Sequence, residues 1–183
     1  LRRIASTRLV ADGIKAINSG TDGSVKVNMT GGLITQDGAD TGAGIRTQIT
    51  SASNGNVNEV KITGGTINAK GDGVYADTVG TGKLSVTVAA GAVVNGGVGV
   101  GDTNGDGIEA HALGGGNVFV SNAGTVTGDP GIIATAVGFG QVQVINTGLT
   151  QGLQDGILTT SVDGITEIRV NAGTVESTGT GDG

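Results

Sequence analysis

The feature that most limits what this chain can fold into is a short repeat: a glycine, an aliphatic residue and, two positions further, Ala or Thr. It occurs six times, as DGIKA at 12, AGIRT at 43, DGVYA at 72, DGIEA at 106, PGIIA at 130 and DGILT at 155. The starts lie between 24 and 34 residues apart. A constant start with variable spacing is typical of a coil that has a fixed core and loops of different lengths.

Each repeat contains three short segments that predict β-strands, because apolar and polar residues alternate along them. The predicted inward positions of the first strand are Ile14/Ala16, Ile45/Thr47, Val74/Ala76, Ile108/Ala110, Ile132/Ala134 and Ile157/Thr159. Those of the second strand are Val25/Val27, Val60/Ile62, Val86/Val88, Val118/Val120, Val142/Val144 and Ile168/Val170. The third strand follows a glycine, in Gly32/Ile34, Gly65/Ile67, Gly91/Val93, Gly124/Val126, Gly148/Thr150 and Gly173/Val175. A rung of three such strands buries its apolar face only by stacking on neighbouring rungs.

The composition agrees with a narrow core. Glycine supplies 38 of the 183 residues, there is one proline, and only three residues are aromatic. Collagen is excluded because it needs a strict Gly-X-Y period and abundant proline, and the alternating Val and Ile runs disfavour disorder. The sequence therefore predicts an all-β parallel β-helix (β-solenoid) of about six rungs of three short strands. We expect residues 1–11 to be an N-terminal entry segment and residues 12–183 to form the solenoid.

Asparagine precedes the third-strand glycine in three successive repeats, at Asn122, Asn146 and Asn171. Asn tolerates left-handed turns, and its side chain can bond the same amide one rung away. We therefore expect a ladder of these three side chains.

Charge and cysteine content narrow the partners. The formal net charge of −6 argues against nucleic acid, which needs a basic face, and against an anionic membrane surface. No apolar run approaches the roughly 20 residues that span a bilayer, so we expect no direct membrane insertion of this segment. The absence of cysteine excludes disulfides and thiolate chemistry.

The repeats DGIEAHALGGGNVFVSNAGTVTGD and DGILTTSVDGITEIRVNAGTVESTGTGDG resemble the parallel β-helix of bacterial autotransporter passenger domains and related surface adhesins. The resemblance covers about residues 12 to 183 and implies a right-handed coil. It also implies export to the cell surface or the extracellular space, with an outer-membrane anchor supplied by parts that are not in this chain. The opening LRRIASTRLV and the closing GDG predict a fragment of a longer solenoid. The expected role is a non-catalytic passenger, stalk or adhesin segment that contacts host or neighbouring-cell surface molecules or associates with itself.

The stretch GDTNGDGIEA contains the one weak metal candidate. Asp102, Asn104 and Asp106 alternate before Gly107, as in the first half of a calcium loop. The bidentate acid expected at the twelfth position is replaced by Leu113. Because Asp106 and Gly107 also begin a repeat, we expect a solvated turn here, with Ca²⁺ as a weak alternative and no other cofactor.

A polysaccharide-degrading β-helix enzyme is the alternative function, and it would need converging carboxylates with a basic residue. The predicted outward column of the first strand reads Lys15, Arg46, Tyr75, Glu109, Ile133 and Leu158. That of the second reads Lys26, Lys61, Thr87, Phe119, Gln143 and Arg169. Neither column stacks carboxylates, and Glu109 with His111 reads as a solvated pair. No catalytic residue is therefore assigned.

Five apolar or aromatic side chains form the candidate partner-contact surface: Tyr75, Phe119, Phe139, Ile133 and Leu158. The long insertion VNGGVGVGDTNG is the candidate projecting loop. A third functional class is a self-assembling fibre subunit, because the ends of a solenoid expose unpaired strand edges.

Overall fold

A computed structural model describes residues 11–37, 42–98 and 105–179. The described residues form 18 strands in three six-stranded parallel sheets, and we number the rungs 1 to 6, each with three consecutive strands. The first sheet contains β1 (Ile14–Asn18), β4 (Ile45–Ile49), β7 (Val74–Thr78), β10 (Ile108–Ala112), β13 (Ile132–Ala136) and β16 (Ile157–Ser161). The second contains β2 (Val25–Met29), β5 (Asn58–Ile62), β8 (Leu84–Val88), β11 (Val118–Asn122), β14 (Val142–Asn146) and β17 (Thr166–Val170). The third contains β3 (Leu33–Gln36), β6 (Thr66–Ala69), β9 (Val93–Asn95), β12 (Thr125–Gly128), β15 (Leu149–Gly152) and β18 (Thr174–Ser177). Among these residues, none forms a helix of the length and apolarity that crossing a membrane requires.

The predicted parallel β-solenoid of about six rungs is confirmed by this topology. Alternation places one side of every strand in a shared lumen, where like residues stack in ladders. In the first sheet Ile45, Val74, Ile108 and Ile132 are equivalent in register and fully buried. The register predicted for this sheet is confirmed in every rung.

The glycine that begins each repeat is required by close packing between rungs. A Cβ on Gly73 would lie 2.5 Å from Val94 Cγ1 and 2.6 Å from the carbonyl oxygen of Gly107 in the next rung. Both distances are shorter than real Cβ contacts, so a side chain at this position displaces either the third sheet or the neighbouring backbone. The repeat thus marks the place where successive turns of backbone approach each other.

The register predicted for the second sheet is wrong by two residues in part of the stack. Val60 pairs with Val27, whereas the sequence alignment placed it beside Val25. The inward face is preserved because side chains alternate with a period of two. The observed outward column is Lys26, Glu59, Ser85, Phe119, Gln143 and Glu167. Lys26 Nζ therefore lies 3.4 Å from Glu59 Oε2, and Lys61 belongs to the next column.

One inward position of the third sheet is also corrected. Val94 is buried and pairs with Ile67 and Val126, while Val93 faces outward beside Thr125. The prediction counted two residues from Gly91, but the buried Ala92 adds one residue to this turn. A one-residue change in turn length moves every following side chain to the opposite face.

The predicted asparagine ladder contains two residues rather than three. Asn122 Nδ2 donates to Asn146 Oδ1 at 3.0 Å, and both residues are buried. Asn146 Nδ2 donates in turn to the carbonyl oxygen of Thr174 at 2.9 Å in the last rung. Asn171 is displaced from the ladder because the residue in register with Asn146 is Val170.

We expect Asn146→Ala to lower the free energy of unfolding by roughly 2–3 kcal/mol. The substitution removes the acceptor of the Thr150 hydroxyl, which donates to Asn146 Oδ1 at 3.0 Å, and the donor to the Thr174 carbonyl oxygen, 2.9 Å away. Buried polar groups without partners cost about 1–3 kcal/mol each. Urea denaturation followed by circular dichroism measures the change. Asn171→Ala is the matched control, since Asn171 is exposed, and equal losses for the two variants would contradict the ladder.

Burial declines in the last described rung. Ile168 is 45% exposed and Val170 is 48% exposed, although both continue inward ladders that are closed in the central rungs. A rung receives half of its packing from each neighbour, so an outermost rung leaves its inward side chains partly open. Self-assembly into a fibre would use this partly open rung, and it stays a prediction.

Candidate functional site

Two outward columns of the first sheet bring polar side chains of rungs 2 to 4 together. The first column contains Lys15, Arg46, Tyr75, Glu109, Ile133 and Leu158, as predicted. The second contains Ile17, Gln48, Asp77, His111, Thr135 and Thr160. Parallel strands lie about 4.8 Å apart, so equivalent side chains of neighbouring rungs are within contact distance.

Three carboxylates converge at the edge of these columns, and we refer to Asp72, Asp106 and Glu109 as the carboxylate cluster. One carboxylate oxygen from each residue lies within 4.8 Å of the others. Asp72 and Asp106 precede β7 and β10 at equivalent turns, and the backbone N–H of Asp106 donates to Asp72 Oδ1 at 3.2 Å. Glu109 is the second residue of β10 and points outward beside them. In the sequence, the two turn aspartates and Glu109 belong to separate patterns, so their convergence was not predicted.

Burial and mutual repulsion change the protonation of the cluster. Burial, followed by the charges of Glu109, Asp72 and Asp129, raises the pKa of Asp106 from 3.8 to about 8. Burial and then the charge of Glu109 raise the pKa of Asp72 to about 6. Asp106 is 8% exposed, so the expectation of a solvated turn at this residue is wrong. At neutral pH the cluster therefore retains a proton, as closely spaced carboxylates do.

A cation and two rings flank the cluster. The guanidinium of Arg46 lies over the ring of Tyr75, 4.3 Å from its centroid. Arg46 Nε also donates to Asp12 Oδ1 at 2.9 Å, and the side chain of Asp12 is almost fully buried. The rings of Tyr75 and His111 are stacked with centroids 6.4 Å apart. The cluster thus has a fixed basic residue and an aromatic surface on one side.

The Glu109–His111 pair is partly buried, so the expectation of a solvated pair is wrong. Glu109 Oε1 and His111 Nε2 lie 3.0 Å apart, with about three quarters of each side chain covered. The contact with Glu109 raises the pKa of His111, and burial opposes this effect. Protonation of His111 therefore compensates part of the cluster's negative charge.

The cluster has two chemical capabilities. Carboxylate oxygens are the ligands that hard cations such as Ca²⁺ prefer. One protonated and one ionised carboxyl at short separation can also act as an acid and a base. The calcium candidate from the sequence is only partly covered, since Asp102 and Asn104 lie outside the described residues. Asp106, its third member, lies with Asp72 and Glu109.

The five predicted partner-contact residues do not share one surface. Tyr75, Ile133 and Leu158 lie on the first sheet, and the last two are neighbours in register. Phe119 lies on the second sheet. Phe139 is in the turn after β13 and is 84% exposed. The structure therefore divides them between two sheets and a turn.

The fold places the chain in the class of parallel β-solenoids, with an acidic site on its first sheet. Comparison with protein-family models, curated proteins and solved structures found no match for the chain. Function is therefore inferred from the chain's own geometry.

The raised pKa of Asp106 predicts that the fold becomes less stable as the pH rises. Its pKa is raised from 3.8 to about 8 in the folded state, so the native protein binds this proton more tightly than the unfolded chain does. The free energy of unfolding therefore falls as the pH increases between those two values. Asp106→Asn removes the titration, and we expect it to raise the melting temperature at pH 8 by about 2–4 °C, the shift that about 1 kcal/mol produces.

Thermal melting followed by circular dichroism at about pH 5 and about pH 8 measures this effect. Asp163→Asn is the control, since Asp163 is an exposed turn residue. A wild-type protein that melts at the same or a higher temperature at the alkaline pH, with Asp106→Asn unchanged, would contradict the buried proton.

Proposed function

We propose that this chain is a non-catalytic segment of a surface-displayed or secreted β-solenoid that holds adhesive surfaces and loops at a distance from an anchor. The observation that carries the proposal is the uninterrupted stack of six rungs in three parallel sheets. Such a stack is stiff along its axis because every rung is hydrogen-bonded and packed to both neighbours. Its length is adjusted by the number of rungs without a change in cross-section.

The division between lumen and surface supports a display role. The lumen of the central rungs is closed by small aliphatic ladders, so outward residues are free to vary without loss of the core. Turns between strands also accept insertions, as the variable repeat spacing shows. This arrangement separates the residues that hold the rod together from the residues that meet a partner.

The resemblance to autotransporter passengers supports export and surface display. It rests on the repeated DGIEA and NAGTV segments, which the solenoid uses at the start of the first sheet and before the third. Under this proposal the partners are host or neighbouring-cell surface molecules, or other copies of the chain.

The experiment is display of the whole chain on bacteria through a fused outer-membrane anchor. We expect displaying cells to adhere to host cells or to one another several-fold more than cells carrying the anchor alone. A variant with Ile108→Asp should lose this adhesion because a charge in the lumen disrupts the central rungs. Ile157→Asp, in the half-buried last rung, should retain more of it.

Antibody binding to an added epitope tag confirms equal display of all variants. Folded, fully displayed wild-type chain with no more adhesion than the anchor alone would refute the adhesive role.

A second candidate is an enzyme acting on polysaccharide, and it is favoured by the carboxylate cluster beside Arg46. A raised pKa at Asp106, beside two further carboxylates, offers a proton donor and an acceptor on one face of the solenoid. We would expect the chain to release new reducing ends or unsaturated sugars from a polysaccharide panel. Asp106→Asn and Glu109→Gln should each abolish that release, while Asp163→Asn should not. Absence of products from the wild-type chain across acidic, neutral and alkaline panels would exclude this candidate.

A further inference from the structure

A groove crosses the outer face of the second sheet where its strands begin, and we refer to it as the Phe119 groove. Its volume is about 220 Å³. It lies between two outward columns that are two residues apart along the chain. Lys83, Asn117 and Gln141 line one side, and Phe119, Gln143 and Glu167 line the other. The groove spans rungs 3 to 6 and is separate from the carboxylate cluster on the first sheet.

The register makes this groove the one place on the second sheet's outer face where an aromatic ring meets amide side chains. Phe119 is flanked in its column by Ser85 and Gln143. The ammonium of Lys83 lies over the ring of Phe119, with Nζ 4.9 Å from the ring centroid. Lys83 is exposed and precedes β8, so its ammonium can move aside or donate to a ligand.

The polar groups are arranged around the ring in fixed positions. Gln143 Nε2 donates to Glu167 Oε2 at 2.6 Å, which orients both side chains. Glu167 Oε1 also accepts from Arg169 Nε at 2.6 Å. Asn117 Oδ1 accepts from the backbone N–H of Gln141 at 2.9 Å, which leaves the Asn117 amide N–H groups directed elsewhere. The groove therefore presents an apolar ring with both donors and acceptors at its margin.

We infer that the Phe119 groove binds a neutral sugar ring, such as one hexose unit of a cell-surface glycan. The inference deepens the proposed adhesive function and rests on it. The C–H groups of a sugar pack against the negative face of an aromatic ring. Its hydroxyl groups both donate and accept, which matches amides, a carboxylate and an ammonium. Lys83 and Glu167 give the groove one cation and one anion, so its lining has no net formal charge to attract an anionic ligand.

Volume and backbone pairing argue against other occupants. Sites for drug-sized ligands measure about 300–1,000 Å³, so a groove of about 220 Å³ fits a single small ring better than a folded peptide segment. An extended peptide binds by adding to an unpaired sheet edge. Here β11 and β14, which carry Phe119 and Gln143, are paired on both sides, so a peptide cannot add a strand beside either of them.

The test is titration of the whole isotope-labelled chain with glucose, galactose, mannose and N-acetylglucosamine, followed by amide chemical shifts. We expect saturable shifts around Phe119 and Gln143 for at least one sugar, with a Kd of about 1 mM, as is typical for one ring with little buried area. Phe119→Ala should weaken binding at least about tenfold, the loss of roughly 1.4 kcal/mol of stacking. Phe139→Ala is the matched control, because Phe139 is an exposed aromatic outside the groove.

Phe119→Leu keeps an apolar side chain on the sheet and guards against loss of fold. It should retain the wild-type melting temperature and still bind more weakly. Glu167→Gln provides a second, independent variant, because it replaces the carboxylate of the groove with an amide. No saturable shift for any of the four sugars up to about 50 mM, or shifts that persist in Phe119→Ala, would overturn the inference.

Failure of this inference is distinguishable from failure of the adhesive role. Wild-type and Phe119→Ala chains displayed on bacteria should differ in adhesion only if the groove is the contact. Equal adhesion of the two overturns the groove as the adhesive contact and leaves the proposed function standing. If neither chain adheres more than the anchor alone, the proposed adhesive function itself is refuted.

Discussion

Ile108→Ala is expected to lower the free energy of unfolding by about 3–5 kcal/mol, the upper part of the range for truncating a fully buried aliphatic side chain. Ile108 is fully buried in the fourth rung. It packs in register between Val74 below and Ile132 above. The hydrogen-bonded rungs prevent the lumen from collapsing into the space that the side chain leaves, so the cavity persists and most of its cost is retained.

Urea denaturation followed by circular dichroism measures this loss, with Ile157→Ala as the matched control. Ile157 occupies the same ladder in the last rung, where it is only partly buried. The same truncation there should cost about half as much or less, because less apolar surface is removed from contact. Equal losses at the two positions would show that burial in the central lumen is not what stabilises the stack.

Gly73→Ala is expected to cost about 3 kcal/mol, the upper end of the usual penalty for overpacking. The added methyl group would lie 2.5 Å from Val94 Cγ1 and 2.6 Å from the Gly107 carbonyl oxygen. The first neighbour belongs to the core of the third sheet. The second is backbone that the Val74 N–H binds at 3.0 Å. The Gly107 carbonyl cannot move away without breaking this hydrogen bond between rungs 3 and 4, and Val94 is fully buried in the lumen.

Gly55→Ala is the control for this prediction. A Cβ on Gly55 meets only Thr81 Oγ1, at an ordinary 3.5 Å, so the substitution should be nearly neutral. The two variants are compared by thermal melting at one pH. A Gly73→Ala protein as stable as Gly55→Ala would mean that the rungs can separate locally, and that the repeated glycine has another cause.

These two predictions concern the features that the sequence displayed most clearly. The alternation in each segment identified the inward side of nearly every strand, because the period of two is a local property of an extended chain. The Gly-Ile start aligned the first sheet correctly in all six rungs. A glycine held at each start by close backbone packing acts as an unambiguous marker of register.

Register in the other two sheets was less visible. In the second sheet, consecutive V-x-V positions are chemically alike, so shifting the pairing by two residues exchanges one buried Val for another. Only the backbone hydrogen bonds between rungs distinguish the two alignments. In the third sheet, the buried Ala92 lengthens the turn after Gly91 by one residue. Neither residue type nor spacing showed whether Val93 or Val94 faces inward. The sequence placed Phe119 beside Gln143 correctly. It put Arg169 where Glu167 lies, so the presence of Glu167 in the Phe119 groove depends on that tertiary register.

The carboxylate cluster was decided by the tertiary structure alone. Asp72 and Asp106 are 34 residues apart and belong to turns, while Glu109 belongs to a strand that carries no other acid on its outer face. Stacking at about 4.8 Å per rung makes the two turns neighbours, and the strand then places Glu109 over both. The sequence by itself determined the solenoid, its inward ladders and its repeat boundaries, because alternation and glycine spacing are written along the chain. Which outward groups meet, and how far burial shifts their protonation, depends on distances between rungs that no local pattern contains.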